Sequence, residues 1–194
     1  MDEIIAVILQ VVNAFNKADI QYAIGGSVAS SLYGLPRTTH DVDFLVDLHE
    51  SQLQDFIVAL GSDFYVDVDM LQDAIRQKTP CNIIHQQSML KVDLFFANAR
   101  NLEELKRTVL TQLTTEPQSE VSVVSPEDII LEKLKWYELG GKTSERQLTD
   151  VVGVLRVQKG KLDQAYLENE AKAQGLENML TKVQILAQEY PPRA

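Results

Sequence analysis

Two aspartates in an apolar segment, Asp41 and Asp43, constrain this chain more than any other feature. Side chains of a strand alternate between its two faces, so both carboxylates point to one side while Val42 and Phe44 point to the other. Neighbouring carboxylates repel each other and are costly to bury unpaired, and a divalent cation between them relieves both effects. The spacing therefore predicts a site for Mg²⁺ or Mn²⁺ that also takes phosphates. The alternative is a pair of solvent-facing residues on a half-buried strand.

A glycine-rich turn, Gly25-Gly26-Ser27, precedes this pair along the chain. Glycine lets the backbone approach a ligand closely, and the free N–H groups at a helix N-terminus bind phosphate. The turn is thus a candidate phosphate cradle. The same residues are also compatible with a plain tight turn in which Ser27 caps a helix.

A third acid, Asp93, lies between Val92 and Leu94 in an apolar segment. It is a candidate third carboxylate of the same site. Its alternative role is an ion pair with Lys91 or with Arg37.

A second pair with the same spacing, Asp67 and Asp69, has no glycine-serine turn before it. A helix is predicted to begin near Met70, and an aspartate at that position caps the free N–H groups of the first turn. We therefore predict that Asp69 is a helix N-cap and that this pair lies outside the functional site.

Periodicity predicts alternating helices and strands up to residue 124 and helices beyond it. Predicted helices span 2–18, 28–33 and 49–60, and predicted strands span 21–26, 42–46, 81–85 and 90–96, the last two forming a hairpin. In the C-terminal part, Ser125-Pro126 opens a helix that runs to Leu139, and Ser144 with Gln147 caps the next. Further helices are predicted at 162–172 and 176–189. These elements predict an α/β core at 1–124 and a helical extension at 125–194 that packs on it.

Charge and composition exclude several classes of function. Net charge is −10, and residues 1–125 carry 17 acidic against 8 basic residues. Such a surface repels a nucleic-acid backbone, so duplex DNA is not an expected partner. The N-terminal apolar run is short and has acidic flanks, which predicts neither a signal peptide nor a membrane anchor. A single cysteine, Cys81, fits a cytoplasmic protein with a structural thiol.

Together these motifs resemble the nucleotidyltransferase superfamily, whose fold is that of the polymerase β type enzymes. The resemblance rests on Gly25-Gly26-Ser27, on Asp41-x-Asp43 and on Asp93. The segment from Ser125-Pro126-Glu127-Asp128 through Lys133 to Arg146 and Asp150 resembles small bacterial abortive-infection nucleotidyltransferase toxins. The resemblance implies an α/β (α+β) fold with a mixed, partly antiparallel sheet flanked by helices, plus the helical extension.

The resemblance also implies roles for individual residues. Asp41 and Asp43 would hold Mg²⁺ or Mn²⁺, and Asp93 would complete the site and position or deprotonate the attacking hydroxyl. The residues expected to bind the nucleotide and its phosphates are Gly25, Gly26, Ser27, Arg37, Lys133, Arg146 and Asp150.

Two of these helical assignments have structural alternatives. Lys133 shares a helix face with apolar residues, so its stem could simply lie on that surface while the ammonium reaches solvent. Arg146 and Asp150 are four residues apart, which is typical of an ion pair at the helix surface.

The implied activity is transfer of a nucleotidyl group from a nucleoside triphosphate, such as ATP, to a hydroxyl acceptor. As a toxin-like component of a toxin-antitoxin pair, the protein would act on RNA, with tRNA as one candidate, or on a protein hydroxyl, and an antitoxin partner would be expected. The alternative is a catalytically silent nucleotide-binding or partner-binding protein on the same fold.

Overall fold

The computed structural model of the chain describes residues 2–99, 101–116 and 119–189. The helices and strands are α1 Asp2–Lys17, β1 Gln21–Ile24, α2 Gly26–Tyr33, β2 Asp41–Asp47, α3 Leu53–Leu60, β3 Phe64–Tyr65, α4 Val68–Gln77, β4 Cys81–His85, β5 Leu90–Phe96, α5 Asn101–Lys106, β6 Val109–Gln112, β7 Glu120–Val123, α6 Pro126–Leu139, α7 Glu145–Val157, α8 Gln164–Ala173 and α9 Glu177–Glu189.

The chain forms two compact units. The first contains residues 1–25 and 38–124, and the second contains residues 26–37 and 125–194. Since α2 groups with the C-terminal helices, neither unit is continuous in sequence. The division into domains 1–124 and 125–194 stays a prediction.

In the first unit, the described strands form one seven-stranded mixed sheet in the order β3-β4-β5-β2-β1-β7-β6. Strand β2 pairs parallel with β5 and antiparallel with β1, while β1 pairs parallel with β7. Strands β4 and β5 form the antiparallel hairpin that the sequence predicts. The α/β class with a mixed, partly antiparallel sheet is therefore confirmed.

An aromatic cluster lies between the sheet and helices α1 and α3 of this unit. The ring of Phe15 in α1 stacks on Phe56 in α3 at 5.1 Å and meets Phe44 of β2 edge to face at 5.2 Å. All three side chains are fully buried. Aromatic pairs of this kind add to the stabilisation from buried area, so the apolar face of β2 is anchored firmly.

Two helix starts in the first unit differ from the predictions. The predicted helix 49–60 begins as a 3₁₀ turn at Glu50–Gln52 and becomes α-helical only at Leu53. Helix α4 is capped by Asp67, whose Oδ1 accepts a hydrogen bond from the Met70 N–H at 3.0 Å. The predicted cap at Asp69 was therefore wrong, because that residue already lies in the first turn.

In the second unit, helix α6 begins as predicted. Ser125 is its N-cap and accepts a hydrogen bond from the Asp128 N–H, and Pro126 is the first helical residue. Helix α7 begins after Ser144, but the side chain of Ser144 makes no capping hydrogen bond, contrary to the prediction. In the described part of the chain, no helix combines the length and apolar character that a bilayer crossing requires.

The second unit is held together by close helix contacts and buried hydrogen bonds. Gly34, just after α2, approaches α7 so closely that a Cβ there would lie 2.8 Å from the Val154 nitrogen. The Tyr166 hydroxyl of α8 donates to Oδ1 of buried Asp128 at 2.6 Å, and Glu127 Oε1 accepts from the Asp163 N–H at 2.7 Å. These contacts fix α7 and α8 against the rest of the unit.

Candidate active site

The predicted carboxylates lie on neighbouring strands in the first unit. Strands β2 and β5 run parallel, with Asp43 opposite Asp93 and Asp41 opposite Lys91. Residues opposite each other on paired strands point to the same face of the sheet. We call these four residues the carboxylate face. Its acidic side chains are partly exposed, and the alternating residues Val42 and Phe44 are fully buried on the other side.

The carboxylate face has internal partners. The ammonium of Lys91 lies 2.8 Å from Oδ1 of Asp93, and the Thr39 hydroxyl donates to Oδ1 of Asp41 at 2.6 Å. The hydrogen bond to Asp93 raises the pKa of Lys91. Desolvation by burial opposes this rise, and the negative charges of Asp93, Asp41 and Asp43 add to it. The ion pair that the sequence left open for Asp93 is thus present, with Lys91 as the partner.

The fit to a metal depends on how many protein ligands are required. Among the described residues, no group of three or more His, Cys, Asp or Glu side chains is arranged to hold a metal ion. The carboxylate face offers instead two adjacent carboxylates, Asp43 and Asp93, with Asp41 one pleat away. Mg²⁺ is commonly held by one or two carboxylates together with water and substrate phosphates. The donor set therefore suits an ion that is bound jointly with a triphosphate.

The glycine turn spans the point where the chain passes from the first unit to the second. In the first unit, the Gly25 N–H donates to the Asp43 carbonyl oxygen at 2.9 Å, so it is committed to strand pairing. Gly26 begins α2 with φ +54°, a left-handed conformation that favours glycine. Ser27 lies in the first turn of α2, where N–H groups lack helical acceptors.

Six of the predicted nucleotide-binding positions lie in the second unit, and four of them, Ser27, Arg37, Lys133 and Asp150, are joined by hydrogen bonds. Both carboxylate oxygens of Asp150 accept hydrogen bonds from Arg37, at 2.9 and 3.0 Å, and Oδ2 also accepts from Lys133 Nζ at 2.7 Å. Arg37 donates in addition to the Ser27 hydroxyl, and Lys133 donates to Gln147 Oε1 at 3.2 Å. We call these five residues the Asp150 cluster.

Burial and neighbouring positive charges have opposite effects on the pKa of Asp150. Its side chain is 5% exposed, and burial raises its pKa. Hydrogen bonds from Arg37 and Lys133, together with their positive charges, outweigh that effect and hold the pKa below its usual value. Asp150 is therefore an ionised anchor for two cations.

The family comparison covers nearly all of both units. Residues 8–189 match the family described as "Nucleotidyl transferase AbiEii toxin, Type IV TA system". The chain belongs to this family. Its enzymatic class, a nucleotidyltransferase, and its resemblance to abortive-infection toxins are thereby confirmed. Comparison with curated protein sequences gives no match.

Solved structures show the same fold at low sequence identity. The solution structure of the antibiotic-resistance factor ANT(2'')-Ia has a TM-score of 0.54 at 12% identity, covering 93% of this chain and 98% of that one. Its crystal structure with adenylyl-2''-tobramycin has a TM-score of 0.55 at 10% identity, covering 88% and 98%. JHP933 from Helicobacter pylori has a TM-score of 0.49 at 15% identity, covering 94% and 88%. The two ANT(2'')-Ia comparisons confirm the nucleotidyltransferase fold.

The structure does not show either of the two structural alternatives left open for the helical residues of this AbiEii-family chain. Lys133 does not extend to solvent along an apolar surface, because its side chain is 6% exposed and its ammonium is bonded inside the unit. Asp150 is buried and, among the described residues, makes no ion pair with Arg146, which is exposed on the first turn of α7. Helical spacing alone could not show that Asp150 faces the interior.

Sequence reasoning did not identify Gln147 or Thr39 as members of these clusters. Gln147 lies one turn before Asp150 on α7 and bonds the same ammonium, so the i, i+3 spacing was the signal that could have found it. Thr39 precedes Asp41 by two residues, a local spacing at which a hydroxyl reaches a carboxylate.

Proposed function

We propose that this AbiEii-family enzyme uses Mg²⁺ or Mn²⁺ and a nucleoside triphosphate, and transfers the nucleotidyl group to a hydroxyl of an RNA or a protein. The observation that carries the proposal is the side-by-side register of Asp43 and Asp93 on parallel strands. Two adjacent, partly exposed carboxylates on a rigid sheet provide oxygen ligands for a hard cation. Family membership supplies the reaction class.

In this proposal the carboxylates divide the chemistry between them. Asp41 and Asp43 hold the metal, which neutralises charge on the triphosphate when bound. Asp93 completes the site and positions or deprotonates the attacking hydroxyl. Thr39 supports this arrangement because its hydroxyl fixes one oxygen of Asp41 and leaves the second oxygen as a ligand. The hydrogen bond from the Gly25 N–H to the Asp43 carbonyl oxygen extends the pairing of β1 with β2.

The Asp150 cluster supports phosphate binding in the second unit. Arg37 and Lys133 bring two positive charges against one negative charge, so the three residues carry a net charge of +1. The Arg37 side chain is 31% exposed, whereas that of Lys133 is 6% exposed. We therefore assign phosphate contact first to Arg37, with Gly26 and Ser27 at the start of α2.

The remaining residues of the second unit have more indirect roles in the proposal. Lys133 contributes positive charge from within the cluster, and Asp150 fixes both cations in place. Arg146 is exposed on the first turn of α7, and in the proposal it adds positive charge for the nucleotide phosphates.

The acceptor and the partner are proposed by analogy with the toxin class. An RNA, with tRNA as one candidate, or a protein hydroxyl is the proposed acceptor in the cytoplasm, and ATP is a candidate donor. A cognate antitoxin protein is the proposed partner. The net charge of −10 disfavours duplex DNA. The likeness to the two ANT(2'')-Ia structures shows the fold alone. One of them contains adenylyl-2''-tobramycin, and tobramycin is therefore included in the test as a comparison acceptor.

A labelling screen tests the proposal. The protein is incubated with each of four α-labelled nucleoside triphosphates, with Mg²⁺ or Mn²⁺, and with total RNA, total cell protein or tobramycin. Label that enters RNA or protein with wild type, and does not enter with Asp43→Asn, supports the proposal. Label that enters only tobramycin contradicts the assigned acceptors. Triphosphate binding without transfer in any fraction indicates the catalytically silent alternative.

A further inference from the structure

The carboxylate face contains a cation of its own. Among the four residues of the carboxylate face, Lys91 alone is positively charged. Three carboxylates and one ammonium leave a net charge of −2 there. The face is therefore partly neutralised before any metal binds.

The position of Lys91 sets it in competition with a metal ion. Its ammonium lies 2.8 Å from Oδ1 of Asp93, which is the distance of a charge-assisted hydrogen bond. A divalent cation that binds this oxygen must displace the ammonium, and it is repelled by the ammonium even when it binds only to Asp43. The register adds to this effect, because Lys91 lies directly opposite Asp41.

Because the lysine is largely exposed, moving its ammonium away from Asp93 costs little free energy. Its side chain is 49% exposed, while that of Asp93 is 16% exposed. An ion pair of this kind contributes little net stability, and the flexible stem can turn the ammonium into solvent. The Lys91–Asp93 contact therefore weakens the binding of a metal ion that interacts only weakly with the carboxylates, and it breaks when the ion binds more strongly.

We propose that Lys91 is a resident counter-ion of the carboxylate face, which lowers its affinity for a free divalent cation and moves aside when the cation enters with a triphosphate. This inference rests on the proposed function, because it takes the carboxylates to be the metal ligands.

The test measures Mn²⁺ alone, without nucleotide, by the electron paramagnetic resonance signal of the free ion at fixed neutral pH. Lys91→Gln removes the charge and is expected to bind Mn²⁺ about fivefold or more tightly, as follows from losing one repulsion at about 4 Å in a solvent-exposed setting. Lys91→Arg keeps the charge and should bind like wild type. The matched control is Lys106→Gln, an exposed lysine of the same unit that pairs with Glu103 at 2.7 Å.

The outcomes separate this inference from the proposed function. Tighter binding by Lys91→Gln, with Lys91→Arg and Lys106→Gln unchanged, supports the counter-ion role. Equal or weaker binding by Lys91→Gln overturns it, as does an equal gain in Lys106→Gln, which would reflect overall charge. If Asp43→Asn loses Mn²⁺ while Lys91→Gln is unchanged, only this inference fails. If Asp43→Asn binds like wild type, the metal site itself is wrong and the inference fails with it.

Discussion

Replacing Asp150 with asparagine should destabilise the protein more than removing Lys133. Asp150 accepts hydrogen bonds on both oxygens, from Arg37 on Oδ1 and from Arg37 and Lys133 on Oδ2. Asparagine has the same shape but one of its two terminal groups is an NH₂ donor. In either orientation this donor faces a cationic donor, and the buried ammonium loses its counter-charge.

The expected costs differ because the remaining partners differ. Removing one side of a buried ion pair costs about 3–5 kcal/mol when the other charge is left uncompensated. Asp150→Asn leaves Lys133 in that condition, with a side chain only 6% exposed and Gln147 as its other hydrogen-bond partner. Lys133→Met keeps the apolar stem and leaves Asp150 paired with Arg37, so its cost should be about 1.5–3 kcal/mol, the contribution of one hydrogen bond between charged groups.

Urea denaturation of wild type, both single variants and the double variant measures these costs. The double variant should cost less than the sum of the single variants, with a coupling of about 0.5–3 kcal/mol, since the two residues are in contact. Equal costs for the two single variants, or strict additivity in the double variant, would refute the burial argument for the Asp150 cluster.

Three further outcomes are expected from the structure. Gly34→Ala should destabilise by about 1–3 kcal/mol in thermal or urea unfolding, because the new Cβ would lie 2.9 Å from the Gly153 carbonyl carbon; a neutral effect would contradict the packing. Asp67→Ala should cost about 0.5–2 kcal/mol and Asp69→Ala much less, and the reverse order would restore the cap predicted from sequence. The lowered pKa of Asp150 contributes stability above its ordinary pKa, near pH 4, and this contribution is lost as the pH falls through the lower folded-state pKa. The stability gap between wild type and Asp150→Asn should therefore narrow below about pH 4 in pH-dependent denaturation; a constant gap would argue against this linkage.

The carboxylate face illustrates what the sequence could predict. The two-residue period of a strand placed Asp41 and Asp43 on one face and required only that the strand be half buried, which the structure shows. The register of β2 against β5 was not predictable, because parallel strands distant in sequence have no turn to set their alignment. The pairing of Asp93 with Lys91 was accordingly an open alternative rather than a prediction.

The Asp150 cluster illustrates what the sequence could not predict. The start of α6 at Ser125-Pro126 followed from a local capping signal, which acts over a few residues. The contact between Arg37 and Asp150 joins residues 113 positions apart, and no local signal encodes it. The assignment of α2 to the helical unit has the same origin, since it depends on the close approach between Gly34 and α7.

The central claim is that a metal held by Asp43 and its neighbours drives nucleotidyl transfer. The most direct measurement is Mn²⁺-dependent transfer from an α-labelled nucleoside triphosphate by wild type, Asp43→Asn and Asp69→Asn, each checked for folding by thermal melting. Asp69 belongs to the second aspartate pair and is exposed on the first turn of α4, so it is a matched change of one charge in the same unit. The account predicts transfer by wild type and Asp69→Asn and loss of at least about 100-fold in Asp43→Asn, as expected when an electrostatic contribution to the transition state is removed. Transfer by a folded Asp43→Asn at the wild-type rate would contradict it.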